Sequence, residues 1–266
     1  MIRLICLDVD GTLVGSSGDV LPVVWAAAAE ARAQGIRLAI CSGRPAFGKT
    51  LGFAQRLDAD GWHVFQNGAS IAHLPDGETR SRALPLAGLA QLIARARETG
   101  RLLELYSDTD YAIESTAPLG RLHAGLLGVP YAPRSFESLA GIVVRAQWVV
   151  AHDEVAAIAR EPMTGLTMSE SLSPLMPGIS FLNITPEGVH KGEAVRRIAE
   201  AYGIALADTM MVGDSDNDLS ALQIVGVPVA MGNAEPAIKA AALHVVGDVD
   251  AGGTVEAFAL AMANAS

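Results

Sequence analysis

The stretch Ile2-Arg3-Leu4-Ile5-Cys6-Leu7-Asp8-Val9-Asp10-Gly11-Thr12 decides the fold. Residues 2–7 are apolar apart from Arg3 and do not alternate, the pattern of a strand buried on both faces of a parallel sheet. The run ends abruptly on two carboxylates and a glycine. Pro22 suits a first helical turn, and Val23, Ala26, Ala27, Glu30 and Ala31 follow at helical spacing before Gly35. A second strand over residues 37–41 ends in Ser42-Gly43-Arg44-Pro45, and a third over 63–66 ends in Asn67-Gly68. In open α/β sheets the carboxyl ends of strands line the ligand crevice, so three polar strand ends in succession point to a site there.

Working outward, residues 71–74 and 80–84 about Pro75-Asp76-Gly77 are predicted to form a hairpin. Helical patterns over 87–99, 119–127 and 154–160 then mix with strand-like runs over 102–106, 111–114, 142–150 and 180–184, the look of an α+β block. After Pro186-Glu187-Gly188 the alternation resumes, with helices over 191–202, 219–224, 235–242 and 254–263 and strands over 210–212, 227–231 and 244–246. The expected fold is α/β, a Rossmann-like parallel-sheet core formed by residues 1–81 and 186–266 with an α+β domain, residues 82–185, inserted into it.

Half of the 266 residues are hydrophobic, enough for a self-sufficient core, and 19 basic against 29 acidic side chains give a formal charge of −10. That field repels nucleic acid and anionic lipid, so neither is expected as a partner. Cys6 and Cys41 both lie in apolar runs and read as packing residues. The amino-terminal apolar run meets acids too soon for a signal peptide, and no stretch approaches the roughly 18 to 20 apolar residues of a membrane span. The expected location is the cytoplasm, as monomer or homodimer.

Two acidic clusters stand at strand ends, Asp8 with Asp10 and Asp214-Ser215-Asp216-Asn217-Asp218. Carboxylates crowded in this way need a shared cation, and hard oxygen donors suit Mg²⁺, which also takes phosphate oxygens. Taken alone, the Asp8–Gly11 loop also fits calcium binding or a plain turn. Ser42 and Lys191, each at a predicted helix start, could meet an anion with a hydroxyl, N–H groups and an ammonium.

In these patches the chain resembles the haloacid dehalogenase-like superfamily, in particular its Cof-type sugar phosphatase branch (subfamily IIB). The motifs that carry the resemblance are Asp8-Val9-Asp10-Gly11-Thr12-Leu13, Cys41-Ser42-Gly43-Arg44-Pro45, His190-Lys191-Gly192 and Gly213-Asp214-Ser215-Asp216-Asn217-Asp218, in the family's order. Gln66-Asn67-Gly68-Ala69 and Ala230-Met231-Gly232-Asn233-Ala234 are similar to two further loops of the branch. The resemblance implies a Mg²⁺-dependent phosphatase acting on a small-molecule phosphate ester. Asp8 would be the nucleophile and Asp10 the general acid and base. Asp8, Asp10 through its carbonyl and Asp214 would hold the metal, with Asp218 either a direct ligand or a residue behind the ligands, and Gly11, Ser42, Gly43, Lys191 and Asn217 would cradle the phosphoryl group. It also implies that the inserted domain is a cap that selects the substrate.

Three features depart from the branch. Residues 247–254, Gly-Asp-Val-Asp-Ala-Gly-Gly-Thr, stand where an Asn-Asp-Gly-Val-like segment is usual. Ser42 replaces the commoner threonine but keeps the hydroxyl, and His190 is atypical and reads as local packing or rim. Two alternative readings use the same residues. One is a phosphomutase resembling phosphomannomutase, and the other is a sugar-phosphate-binding protein without catalysis.

Overall fold

A computed structural model describes residues 1–173 and 176–263; of the predicted core, residues 264–266 lie outside the described residues, as do residues 174–175 of the predicted insert. In chain order the elements are β1 (Leu4–Leu7), α1 (Pro22–Ala33), β2 (Arg37–Ile40), α2 (Lys49–Asp58), β3 (Trp62–Phe65), β4 (Ser70–His73), α3 (Leu86–Thr99), β5 (Leu103–Tyr106), β6 (Tyr111–Ile113) and α4 (Pro118–Leu127). They continue with β7 (Arg145–Ala151), α5 (Val155–Ile158), β8 (Leu166–Leu172), β9 (Ile179–Pro186), α6 (Lys191–Tyr202), β10 (Thr209–Gly213), α7 (Leu219–Leu222), β11 (Val227–Ala230), α8 (Pro236–Ala241), β12 (His244–Val245) and α9 (Gly253–Ala263).

These elements fall into two compact units: Met1–Gly43, Gly52–Arg80 and His190–Ser266 in one, Arg44–Leu51 and Ser81–Val189 in the other. The second unit therefore takes in Arg44–Leu51, which the sequence reading placed in the core, and extends to Val189 rather than ending at residue 185. Phe47 explains the difference, since its ring stacks with those of Tyr106 and Tyr111, each at a centroid distance of 6.4 Å.

The first unit is built on a parallel sheet of order β12-β11-β10-β1-β2. Leu4, Ile5, Cys6 and Leu7 of β1 are fully buried, which is why this central strand reads as an apolar run. The chain leaves β1 for β2 on one side, and β10 pairs with β1 on the other, with Leu7 opposite Ile40 and Val212. The carboxyl end of β1 is thus at a topological switch point.

The hairpin expected over residues 71–84 forms one step earlier. β4 pairs antiparallel with β3, from Trp62–His73 to Phe65–Ser70, across the turn at Gln66–Gly68. The segment after Pro75-Asp76-Gly77 contributes a single bridge, Thr79 to Ala72. Hence β3 is not a strand of the parallel sheet, and it meets the end of β2 through one parallel bridge, Val64 to Cys41.

His63 of β3 is fully buried; its Nδ1 accepts the N–H of Ile40 at 3.0 Å and its Nε2–H donates to the Asp58 carbonyl at 2.8 Å. Burial pushes its pKa down from 6.5 to about 4, against an opposing pull from the Asp58 carbonyl and carboxylate. The folded state therefore holds His63 neutral while the unfolded chain protonates it near pH 6.5. Its contribution is complete above that value and is lost as pH falls towards 4, roughly 3 kcal/mol in all. Urea midpoints measured between pH 7 and 4 are expected to fall more steeply for the wild type than for His63→Gln; parallel curves would contradict this assignment.

The second unit carries an antiparallel sheet of order β6-β5-β7-β9-β8. Leu92 and Ala96 of α3 and Ile158 of α5 pack on Leu103, Leu105, Trp148, Leu182 and Ile184. Strand β8 was missed in the sequence because Leu-Thr-Met-Ser-Glu-Ser-Leu is an edge strand, exposed or half-buried throughout. The opposite face of the sheet holds a buried polar network. Glu104 accepts from Tyr106 Oη at 2.6 Å and meets His123 Nδ1 at 2.9 Å, and Arg145 Nη1 donates to Gln147 at 2.6 Å.

Candidate active site

Asp8 follows β1 directly, and its N–H donates to the Val212 carbonyl at 3.0 Å, which sets it beside the end of β10. Lys191 opens α6, whose N-cap is His190: the imidazole Nδ1 accepts the Glu193 N–H at 3.2 Å. The atypical His190 is therefore an exposed helix cap, with the role that Ser or Asp usually takes.

Lys191 is buried at 1% exposure, far from the habit of lysine, and its Nζ donates to Asp8 Oδ1 and Asp218 Oδ1, both at 2.6 Å. The second oxygen of Asp218 accepts the N–H groups of Asp214 and Ser215 at 3.0 and 3.2 Å. Both Asp218 oxygens thus hold parts of the site in place. Thr12 Oγ1 donates to Asp214 Oδ1 at 3.1 Å. One carboxylate oxygen from each of Asp8, Asp214 and Asp218 lies within 4.8 Å of the others.

Gly11 is dictated by this crowding. Its φ is +79°, and a β-carbon there would sit 2.2 Å from Asp214 Oδ2. The Gly11 carbonyl accepts Asn233 Nδ2 at 2.8 Å, and Asn233 Oδ1 accepts the Val249 N–H at 3.0 Å. Thr254 Oγ1 donates to the Thr12 carbonyl, and Asp250 Oδ1 accepts the Ser16 N–H at 2.9 Å. The unusual segment 247–254 accordingly braces the loop that follows Asp8.

The Ser42 loop is held by main chain. The Cys41 N–H donates to the Leu7 carbonyl at 2.7 Å, the Ser42 N–H to Val64 at 3.0 Å, and the Ser42 carbonyl accepts the Asn67 N–H at 3.0 Å. Asn217 reaches the same place, its Nδ2 donating to Asn67 Oδ1 at 3.1 Å. Asp8, Gly11, Lys191, Asp214 and Asp218 are thus joined by direct contacts, Ser42, Gly43 and Asn217 converge on Asn67, and Asp10 stands exposed on the loop beyond Asp8. Asn67, Thr12 and Asn233 are the contributors the sequence reading left without a site role. All three lie in motifs similar to those of the branch, which was the signal available.

The electrostatics are one-sided. Burial drives the Asp8 carboxyl well above its ordinary range; Lys191 pulls it down, but Asp218, Asp214 and Asp10 repel its charge. Asp214 is pushed up to about 7, first by burial and then by Asp218, against Lys191 and the Thr12 hydrogen bond. Burial alone would lower Lys191, yet the Asp218 and Asp8 charges outweigh it and hold the ammonium firmly protonated. One ammonium among these carboxylates leaves excess negative charge, and the crowded oxygen donors fit a hard divalent cation.

Comparison with known proteins agrees with this geometry. Residues 5–258 match the family model of the haloacid dehalogenase-like hydrolases. Pyridoxal phosphate phosphatase YbhA of Escherichia coli is 30% identical over 264 residues, covering 92% of this chain and 93% of that protein. HMP-PP phosphatase of Cronobacter sakazakii is 26% identical over 247 residues, covering 92% and 89%. A solved subclass IIB sugar phosphatase of the superfamily shares the fold with a TM-score of 0.81 at 24% identity, covering 97% of this chain and 98% of that one. The chain belongs to the haloacid dehalogenase-like hydrolases, in their Cof-type branch. It is a phosphoric monoester hydrolase. No helix among the described residues is long and apolar enough to cross a membrane.

Proposed function

We propose that this phosphatase is Mg²⁺-dependent, hydrolyses sugar phosphates and related small metabolites, and works through an aspartyl-phosphate on Asp8. The observation that carries the reading is the buried ammonium of Lys191 bridging Asp8 and Asp218 at the switch point of the sheet. Asp8 and Asp214, with the Asp10 carbonyl, would hold the metal, and Asp218 would orient Asp214 and Lys191. When bound, the cation neutralises charge on the transferring phosphoryl group.

A carboxylate oxygen of Asp8 attacks phosphorus, the ester P–O bond breaks, and Asp10 gives its proton to the leaving alkoxide. Asp10 then takes a proton from water, whose oxygen attacks phosphorus and frees Asp8 with release of inorganic phosphate. Lys191, Ser42, the N–H group of Gly43, and Asn217 would stabilise the phosphoryl oxygens in both steps, whereas the Gly11 N–H, expected from the sequence to join them, donates to the Val14 carbonyl at 2.9 Å. The inserted domain, residues 82–185 in the sequence reading, is proposed as the cap that selects the leaving group.

The test is inorganic phosphate release from a panel of sugar phosphates, pyridoxal phosphate, nucleotides and phosphorylated acids, with Mg²⁺ and with EDTA. Metal-dependent release, fastest on sugar phosphates, is expected. Full activity in EDTA would remove the metal from the reading, a preference for pyridoxal phosphate would move the substrate class, and isomer interconversion in place of release would make the protein a mutase.

A further inference from the structure

We propose that Asn67 is a positioning residue that sets the Asn217 carboxamide and the Ser42–Gly43 loop in register for the phosphoryl group. The inference rests on the phosphatase reading above. Gln66 and Asn67 are the non-glycine residues with positive φ among the described residues, at 54° and 57°, and both are buried. Left-handed backbone is unfavourable for residues with a β-carbon, and asparagine bears it better than most. Two such residues in succession persist only where the surroundings hold them, and such strain gathers at functional sites.

What the turn touches gives that strain a purpose. The Asn67 N–H donates to the Ser42 carbonyl at 3.0 Å. Its Oδ1 accepts Asn217 Nδ2 at 3.1 Å and lies 3.1 Å from where a β-carbon on Gly43 would sit. The next residue, Gly68, packs so closely that a β-carbon would stand 2.7 Å from the carbonyl of His190, the residue before Lys191. This one turn therefore abuts the loop after β2, the start of α6 and the loop after β10, which are the elements that carry Ser42, Lys191 and Asn217.

Ser215 Oγ donates to Asn217 Oδ1 at 3.1 Å, so the Asn217 carboxamide is fixed from both ends. One of its two N–H bonds is spent on Asn67, and the other is thereby aimed as the donor to a phosphoryl oxygen. Glycine at position 67 would satisfy the backbone but supply no acceptor. An alanine would supply neither. Asparagine meets both demands, which is the physical case for its presence.

The experiment is a double-mutant cycle on Asn67→Gly and Asn217→Ala, reading kcat/KM and, by calorimetry, the affinity for inorganic phosphate in Mg²⁺. Glycine accepts positive φ, so Asn67→Gly is expected to fold with a melting temperature no lower than wild type. Each single variant is expected to lose about tenfold in both readouts, a hydrogen bond to a charged group being worth about that much. The double variant is expected to lose no more than Asn217→Ala alone, because the Asn67 side chain acts through Asn217 while its main-chain bond to Ser42 survives in Asn67→Gly. Losses that multiply, or an Asn67→Gly protein equal to wild type, would overturn the inference while the phosphatase reading stands. A wild type that neither releases nor binds phosphate would overturn both.

Discussion

Asp8→Asn is expected to lower phosphate release by at least about a thousandfold while the protein stays folded. A carboxamide oxygen is a poor nucleophile and cannot form the acyl phosphate, so about 4 kcal/mol or more is added to the barrier. The stability side has the opposite sign from that of most buried substitutions. Ionised Asp8 is disfavoured by burial and by the charges of Asp218, Asp214 and Asp10, with Lys191 opposing them. Lys191 also donates to Asp218 at 2.6 Å, a partner that neutralising Asp8 does not remove. Without divalent metal the variant should therefore melt no lower than wild type, and the increase in melting temperature produced by Mg²⁺ should shrink. Rates and melting curves recorded with and without Mg²⁺ check both halves; an inactive variant that melts far below wild type would make its inactivity a folding effect.

The second large effect is expected at Lys191. Lys191→Met removes the ammonium that neutralises Asp8 and Asp218, and breaking a buried pair by deleting one partner costs about 3–5 kcal/mol. For a chain of this size that is a fall of about 10 °C in melting temperature. Added Mg²⁺ should recover part of it, since the metal becomes the remaining cation among Asp8, Asp214 and Asp218. Turnover should fall at least about a hundredfold. Lys191→Arg should not restore it, because a planar guanidinium does not fit a position 1% exposed between two oxygens at 2.6 Å. A Lys191→Met protein with the melting temperature and metal response of wild type would refute this placement of charge.

What could be read in the sequence follows from how local each signal is. Strand β1 and the acids at its end were legible because a strand buried on both faces writes its burial into consecutive residues, and α6 was legible to the residue, from Lys191 to Tyr202. Pro75-Asp76-Gly77 misled, since a strong turn signal says nothing about which strands pair around it. The pairing partner, β3, lay on the other side of the less conspicuous Gln66-Asn67 turn.

Burial of a lysine is not legible locally at all. Lys191 looks like any solvated first-turn residue until Asp8, 183 positions away, is brought to it. The same holds for Asn233 on Gly11 and Asp250 on Ser16, contacts that span 222 and 234 positions. Motif order nominated the members of the candidate site, and only the folded chain supplied the contacts that brace it.

The measurement that bears most directly on the central claim is borohydride trapping during turnover in Mg²⁺, followed by mass-spectrometric sequencing of the amino-terminal peptide. An acyl phosphate on Asp8 is reduced to homoserine, so homoserine at position 8, dependent on both substrate and metal, is the expected result. Homoserine at Asp10, Asp214 or Asp218 instead, or unmodified carboxylates throughout while phosphate is being released, would contradict it.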